Sequence, residues 1–168
     1  YQLGKAAKAF LTAFHADYPT AEHVLVAKEL LTHFKVADQL DTSQLIDWGK
    51  QWSQMVTNQF SPRMVYRKYP LRHWHRERLF QTIADIVMET EQGLVIIQHS
   101  GFRGDAKKIL QKAQSLGGWF QYSKAALQQL FGTPRVRCYL HFVLAGVMIE
   151  VDTDWSPQAL TLFDDVNT

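Results

Sequence analysis

The spacing of apolar residues in this 168-residue chain changes near Arg63, and this change constrains the fold more than any other feature. Before Arg63, apolar side chains recur every three or four residues, as they do on one face of an α-helix. After Arg63 they mostly alternate with polar ones, as they do along a β-strand. The sequence therefore predicts a helical first third followed by a part that is rich in strands.

Three helices are predicted in the first third. Thr20 is of a residue type that favours the N-cap position, and we expect it to start the second helix. Asp41 has Gln44 three residues after it, as in a capping box, and we expect it to start the third. The apolar stripes and punctuating residues place the three helices within 3–18, 20–34 and 41–60.

Strands and further helices are predicted in the remainder. The turn Glu91-Gln92-Gly93 favours a hairpin, and the strands before and after it are expected to pair as a meander. Gly117 and Gly118 are expected to separate two helices, with Gly132 and Pro134 ending the second one. The strands fall at 63–69, 79–89, 94–100, 136–144 and 147–151, and the helices at 106–115 and 119–131. The predicted fold class is α/β (α+β), with N-terminal helices followed by a mixed central sheet flanked by helices.

The length fits one structural domain, and the sequence suggests three parts within it. Residues 1–62 would form an N-terminal helical part, 63–151 a β-sheet core with helices, and 152–168 an acidic C-terminal tail. The chain begins without Met and enters at once on a helical pattern. We expect it to be a fragment of a larger protein.

Charge and hydropathy limit the possible partners and the compartment. The formal net charge of +2 is too small to indicate nucleic-acid binding by itself. No apolar run approaches the roughly 18 to 20 residues of a membrane span, so no membrane partner is expected. Cys138 is the single cysteine and cannot form an internal disulfide, which favours a reducing, cytoplasmic location. Its apolar surroundings predict an inert side chain.

The order of motifs along the chain resembles a known family. The segments that carry the resemblance run from Leu3 to Leu11, from Met64 to Leu71, from Phe80 to Glu89, from Leu94 to Gly101, and from Tyr122 to Val151. Together they are similar to the nuclease domain at the C-terminus of RecB/AddA-type helicase-nucleases, which belongs to the PD-(D/E)xK superfamily. The resemblance covers nearly the whole chain, and the ordered series carries it. It implies a restriction-endonuclease-like core.

In such nucleases, carboxylates at the ends of adjacent strands bind Mg²⁺, and a nearby lysine assists the reaction. Asp85 matches the first acidic position of the family. Gln98 and Ser100 stand where the family has Asp or Glu and then Lys. Gln98 offers only a neutral oxygen, and Ser100 offers no positive charge. Asp85 is therefore either a vestigial metal ligand or simply a polar strand residue, and no metal is expected unless Asp85 retains one.

Three further positions depart from the family pattern. Lys8 stands where the family has a helix His, and it would repel a metal ion. Lys68 stands where an acidic residue often precedes the Pro. Gly118 lies near the position of the family's Gln, upstream of Tyr122. These departures predict that cleavage has been lost.

The resemblance implies a catalytically degenerate nuclease-like module at the C-terminus of an ATP-dependent DNA helicase of the UvrD/Rep superfamily. Its context would be DNA repair and recombination, and its role DNA guidance or docking of a second helicase-nuclease subunit. ATP would bind elsewhere in the parent chain, and no cofactor is expected in this part. One alternative is an active Mg²⁺- or Mn²⁺-dependent exonuclease with ligands relocated to Glu89, Asp105 or Lys107. Another is a pure protein-docking domain.

The best local signal for nucleic acid lies between residues 63 and 78. This stretch has six of the 18 basic residues and one acidic residue, with aromatic residues interleaved. Basic groups neutralise phosphates and aromatic rings stack on bases, so a single DNA strand is the expected partner. A solvent-exposed strand and loop is an equally good interpretation. The candidate residues are Arg63, Arg67, Lys68, Arg72, Trp74, Arg76 and Arg78.

His73, His75 and Glu77 alternate within the same stretch. Two imidazoles and a carboxylate at this spacing occur in zinc sites. Because all three belong to one extended segment, at most two of them could share an ion without strain. The alternative is a set of polar surface residues on a loop.

Overall fold

The computed structural model describes residues 1–153. The helices are α1 (Gln2–Ala13), α2 (Thr20–His33), α3 (Thr42–Phe60), α4 (Ala106–Ser115) and α5 (Gly117–Phe131), and the strands are β1 (Met64–His75), β2 (Arg78–Thr90), β3 (Gly93–Ser100), β4 (Val136–Phe142) and β5 (Val147–Glu150). The predicted fold class, with N-terminal helices followed by a mixed sheet, is confirmed. The predicted acidic tail lies outside the described residues from 154 onward.

The strands form one sheet in the order β1-β2-β3-β4-β5. β1, β2 and β3 pair antiparallel in sequence, which confirms the predicted meander. β3 and β4 pair in parallel because α4 and α5 carry the chain back across the sheet. β5 then pairs antiparallel with β4 and forms the second edge of the sheet.

The two faces of the sheet support two cores. On one face, α1, α2 and α3 pack on the sheet, with Phe10, Leu45 and Ile97 fully buried between them. On the other face, α4 and α5 cover the sheet, and Phe120 of α5 and Leu140 of β4 are fully buried there. The sheet is therefore the middle of three layers, and polar groups inside it need partners from the protein.

Three helix boundaries differ from the prediction. α1 ends at Ala13 and not near residue 18, because the backbone is already extended at Phe14. The capping box of Asp41 and Gln44 at the start of α3 is confirmed. Thr20 is not the N-cap of α2 but its first residue, because Pro19 occupies the cap position with an extended backbone. Gly117 and Gly118 do not separate the last two helices. Both lie buried in the first turn of α5, and Leu116 alone stands between α4 and α5.

β1 is longer than predicted, because it continues past Tyr69 and through Pro70 to His75. A proline is tolerated here since β1 is an edge strand and its missing N–H would face away from the sheet. β4 is shorter than predicted and ends at Phe142. The chain then turns before β5, with Gly146 at φ 65°.

β1 and β2 share an irregularity at one level of the sheet. Tyr66 and Tyr69 pack against the same core, and so do Ala84 and Val87. Residues three apart in a regular strand lie on opposite faces, so the alternation shifts in both strands. The shift falls at Lys68, which has a φ of 51° and lies opposite Asp85.

Candidate functional site

Asp85 lies at the point where β2 separates from β3. Regular pairing between these strands runs from Gly93 only to Ile97, opposite Ile86. Beyond it, side chains replace the backbone ladder. The N–H of Asp85 donates to Oε1 of Gln98 at 2.9 Å, and the N–H of His99 donates to Oδ2 of Asp85 at 2.9 Å. The side chains of Asp85 and Gln98 therefore satisfy two backbone N–H groups that would be unpaired where the strands separate.

Two lysines form ion pairs with the Asp85 carboxylate. Lys68 Nζ lies 3.0 Å from Oδ1, and Lys8 Nζ lies 3.4 Å from Oδ2. The Asp85 side chain is only 2% exposed, whereas those of Lys8 and Lys68 are 33% and 58% exposed. The shift in β1 brings Lys68 to the carboxylate, and α1 brings Lys8. One buried negative charge thus faces two positive ones.

Two glycines allow α1 to come this close to the end of β3. A Cβ atom on Gly4 would lie 2.5 Å from the carbonyl oxygen of Gly101, and one on Gly101 would lie 2.8 Å from the backbone of Gly4. Such distances do not occur between real side chains and backbone, so both positions require glycine at this contact. This contact holds α1 close to β3, so that Lys8 on α1 reaches Asp85.

The donor set of this cluster does not fit the divalent cation that the resemblance implies. Mg²⁺ takes oxygen ligands, chiefly carboxylates. Both Asp85 oxygens already face ammonium groups or an N–H group. Oε1 of Gln98 accepts from Asp85, and Oγ of Ser100 accepts from the N–H of Phe102 at 3.2 Å. Two ammonium groups at the carboxylate would also repel a cation.

The residues considered for relocated ligands lie elsewhere. Glu89 is four residues from Asp85 along β2, about 13 Å at roughly 3.3 Å per residue. Its Oε2 accepts from the Tyr66 hydroxyl at 2.8 Å, and this bond raises the pKa of Tyr66. Asp105 is the N-cap of α4, where Oδ1 accepts from the N–H of Lys108. Within residues 1–153, no three His, Cys, Asp or Glu side chains lie where they could hold a metal ion.

Several of the predicted nucleic-acid residues contact the protein itself. Arg67 donates from Nε and Nη2 to the carbonyl oxygen of Phe14, at 3.2 and 3.0 Å, and burial lowers its pKa. Lys68 pairs with Asp85, and Arg63 lies 3.2 Å from the exposed Glu91. Arg67 thus links β1 to the end of α1 and is half-buried.

The other four candidates lie in the outer part of the β1–β2 hairpin, which we call the outer hairpin (residues 70–83). Arg72 and Trp74 are exposed, and Trp74 retains 64% of its surface. The hairpin turns at Arg76 and Glu77, both with positive φ, directly before Arg78. The structure therefore places these four residues in one hairpin.

His73 and His75 face α5. Their ring centroids lie 6.2 and 5.5 Å from that of Tyr122, and both side chains are half-buried. Glu77 lies in the turn with a φ of 66°. The two imidazoles therefore belong to strand β1 and pack against α5. They do not lie on a loop.

A basic pocket, which the sequence did not reveal, lies beside the Asp85 cluster. It has a volume of about 550 Å³, and α1, the end of β3, the loop after it, α4 and α5 line it. Four of its lining residues are basic and none is acidic: Lys5, Lys8, Arg103 and Lys112. Within residues 1–153, Lys5, Arg103 and Lys112 form no ion pair. The spacing of Lys5 and Lys8 on one helix face was the single sequence signal.

A neutral histidine pair lies on the face of the sheet that α3 covers. Nδ1 of His99 and Nδ1 of His141 are 3.0 Å apart, and Trp52 packs against both rings with centroids 4.7 Å away. Burial lowers the pKa of His141 to about 4. Burial also lowers the pKa of His99 well below its usual value, helped by His141 and the two lysines beyond it. Both rings therefore stay uncharged near neutral pH.

Cys138 is buried, and burial raises the pKa of its thiol to about 12. The side chain is therefore a thiol and not a reactive thiolate near neutral pH.

Comparison of the sequence with models of protein families finds no match, and comparison with curated proteins finds no significant relative. None of the helices described between residues 1 and 153 is long and apolar enough to cross a membrane.

Proposed function

We propose that this chain is a nuclease-like module that binds single-stranded DNA and does not cleave it. The observation that carries the proposal is that the ammonium groups of Lys8 and Lys68 both pair with the Asp85 carboxylate, at the point where β2 and β3 separate. A nuclease needs a divalent cation at this place to position water and stabilise charge on the phosphate. Here the protein supplies positive charge that can attract phosphate but cannot activate water.

The order of elements supports the same proposal. An antiparallel meander, a helical crossover and a parallel fourth strand place Asp85 and Gln98 on neighbouring strands at the opening of the sheet. That arrangement is what the resemblance to RecB/AddA-type nuclease domains implies. The parent protein would then be an ATP-dependent DNA helicase acting in repair or recombination, and this module would guide the strand that leaves the motor.

The outer hairpin is one surface on which the strand would lie. Trp74 presents a ring on which a base can stack, and Arg72, Arg76 and Arg78 give the hairpin a positive charge that attracts phosphates. Docking of a second subunit is the competing role, since Ile83 next to this surface is 55% exposed. The basic residues favour DNA over an apolar protein partner.

The test is a cleavage and binding experiment on the chain. We expect no products from linear single- or double-stranded DNA with Mg²⁺ or Mn²⁺, together with binding of single-stranded DNA that weakens as salt rises. Replacing Arg72, Arg76 and Arg78 by Gln should flatten the salt dependence. Replacing the exposed Lys28, Lys35 and Lys50 by Gln removes the same number of charges and is the matched control. Metal-dependent cleavage that Asp85→Ala abolishes would overturn the proposal, and so would absence of DNA binding.

A gain-of-ligand variant gives a second measurement. Lys8→His, Gln98→Asp and Ser100→Lys together restore the residue types of an active site of this class. If the site is a degenerate nuclease centre, the triple variant should bind Mn²⁺ in calorimetry, whereas the parent chain should not. Equal Mn²⁺ binding by both proteins would contradict the loss of the metal centre.

A further inference from the structure

The basic pocket assigns this protein a second ligand site. We infer that the pocket bounded by α1, α4 and the loop after β3 binds a phosphomonoester, either the phosphorylated end of a DNA strand or a free nucleotide. The inference rests on the proposed DNA-binding function only for the identity of the group that carries the phosphate. It concerns residues that play no part in the outer hairpin.

The charge of the pocket fits a dianion. Lys5, Lys8, Arg103 and Lys112 line it, and no carboxylate does. A phosphomonoester carries a charge near −2 at pH 7 and three strong acceptor oxygens, whereas an internal phosphodiester carries only one charge. Lys8 is paired with Asp85 and the Lys5 ammonium lies over the Tyr1 ring, but three of the four basic residues have no ion pair within residues 1–153, so a doubly charged strand end matches the lining better than the middle of a strand does.

The pocket is held in place by the Asp85 cluster. The Asp85 carboxylate anchors Lys8 at 3.4 Å, and the Gly4–Gly101 contact fixes α1 against the end of β3. A preorganised cation loses less conformational entropy on binding an anion than a freely moving lysine does. Arg103 lies two residues after Gly101 in the same loop.

Uncharged groups complete the lining. The hydroxyl of Ser100 accepts from the N–H of Phe102, and its own O–H can donate to a ligand. Trp119 donates its indole N–H to Thr82 at 3.0 Å, and Phe102, Leu116 and Leu140 add apolar atoms to the lining. A volume of about 550 Å³ exceeds that of a lone phosphate and lies in the range typical of sites for small organic ligands. The site therefore suits a phosphate attached to a sugar and base.

The experiment compares single-stranded oligonucleotides that differ only at their ends. Fluorescence anisotropy would measure affinity for a 5′-phosphorylated strand, a 3′-phosphorylated strand and a strand with two hydroxyl ends, and calorimetry would measure binding of dAMP and inorganic phosphate. We expect one phosphorylated end to bind about tenfold more tightly than the hydroxyl end, the effect of a charge-assisted hydrogen bond. Binding of dAMP alone would instead identify a free nucleotide as the ligand.

Lys5→Gln combined with Lys112→Gln should remove this preference. Lys28→Gln combined with Lys50→Gln makes the same change in net charge on exposed helix positions and should leave it intact. Thermal melting of both double variants would establish that they remain folded. An equal loss in both variants would overturn the assignment, because it would reflect net charge and not the pocket.

The failures of the two proposals are distinguishable. A chain that binds phosphorylated and hydroxyl-ended strands equally, and does not bind dAMP, retains the proposed DNA function but lacks the inferred site. A chain that binds dAMP but no oligonucleotide has the pocket and refutes the DNA function. A chain that binds none of these probes refutes both.

Discussion

Two basic surfaces of this molecule differ in how their charges are used. In the stretch from residue 63 to 78, the charges are consecutive in sequence, yet Arg67 and Lys68 are engaged by Phe14 and Asp85. In the pocket, the basic residues come from separate elements, yet Lys5, Arg103 and Lys112 have no ion-pair partner among residues 1–153. The cluster that is denser in sequence therefore has several of its basic side chains engaged by the protein itself.

The difference teaches that a local count of basic residues measures composition and not availability. Strand alternation turns every second side chain of β1 toward the helices, where Arg67 becomes part of the packing. Helix α1 instead presents Lys5 and Lys8 on one side, next to a loop that has no acidic side chain in the pocket lining. Anion binding is therefore better supported at the pocket than at the inner half of the hairpin.

Acid should destabilise the folded protein through the buried pair of His99 and His141. Below pH about 6.5 the unfolded chain takes up protons on His141, whereas the folded protein does so only near pH 4. The free energy of unfolding should therefore fall as the pH is lowered from 6.5 to 4, by about 3 kcal/mol for this one group. Urea denaturation at a series of pH values measures the slope.

Matched variants identify the origin of this slope. His141→Gln should flatten the pH dependence, whereas His33→Gln, at an exposed position of α2, should leave it unchanged. A slope that persists in His141→Gln would show that carboxylates and not the buried imidazoles govern acid stability. His99 keeps its own contribution in that variant, so the slope should decrease and not vanish.

Removal of the Asp85 carboxylate tests the anchor of the pocket. Asp85→Ala leaves two ammonium groups and the N–H of His99 without their acceptor. Breaking a buried ion pair costs about 3 to 5 kcal/mol, and the partial exposure of the lysines reduces the expected loss of stability to about 2 to 3 kcal/mol. Chemical denaturation without metal measures this loss, with the exposed Asp47→Ala as control. No loss would mean that Asp85 is not a structural tie between β2 and β3.

Periodicity was enough to predict the layers and most elements of the fold. The change in spacing near Arg63 marks where helices end and the sheet begins, and the capping box of α3 was read directly from Asp41 and Gln44. The same alternation failed at Lys68 and Asp85, because both strands shift phase there. An edge strand also tolerates Pro70, so local punctuation stopped the predicted β1 too early.

The candidate site was only partly predictable. Asp85, Gln98 and Ser100 were selected by position in a series of motifs, and the structure brings the first two into direct contact. Neither Lys8 nor Lys68 was expected to pair with Asp85, because their sequence separations from it carry no periodic signal. The pocket depends on the approach of Gly4 to Gly101, a long-range contact that no local pattern encodes.

A substitution of Arg67 tests whether this residue stabilises the fold or binds DNA. Arg67→Gln removes two hydrogen bonds to the carbonyl of Phe14 and should lower the free energy of unfolding by about 2 kcal/mol, as expected for a charged donor. Affinity for single-stranded DNA should not change under conditions where the variant is folded. Arg72→Gln should show the opposite pattern, with normal stability and weaker binding. Loss of affinity in folded Arg67→Gln would show that the start of β1, before residue 70, also contacts DNA.

The smallest expected effect concerns Trp74 and decides whether the two surfaces meet one strand. Trp74→Ala should leave stability within about 0.5 kcal/mol, since the ring is exposed, and should weaken binding of single-stranded DNA roughly fivefold through the loss of one stacked base. Anisotropy titrations with long and short strands measure this change. Combined with Lys5→Gln and Lys112→Gln, the free-energy effects on a long strand should add if it contacts both surfaces independently. A short phosphorylated strand that reaches only the pocket should then be insensitive to Trp74→Ala, and sensitivity there would place the outer hairpin at the pocket itself.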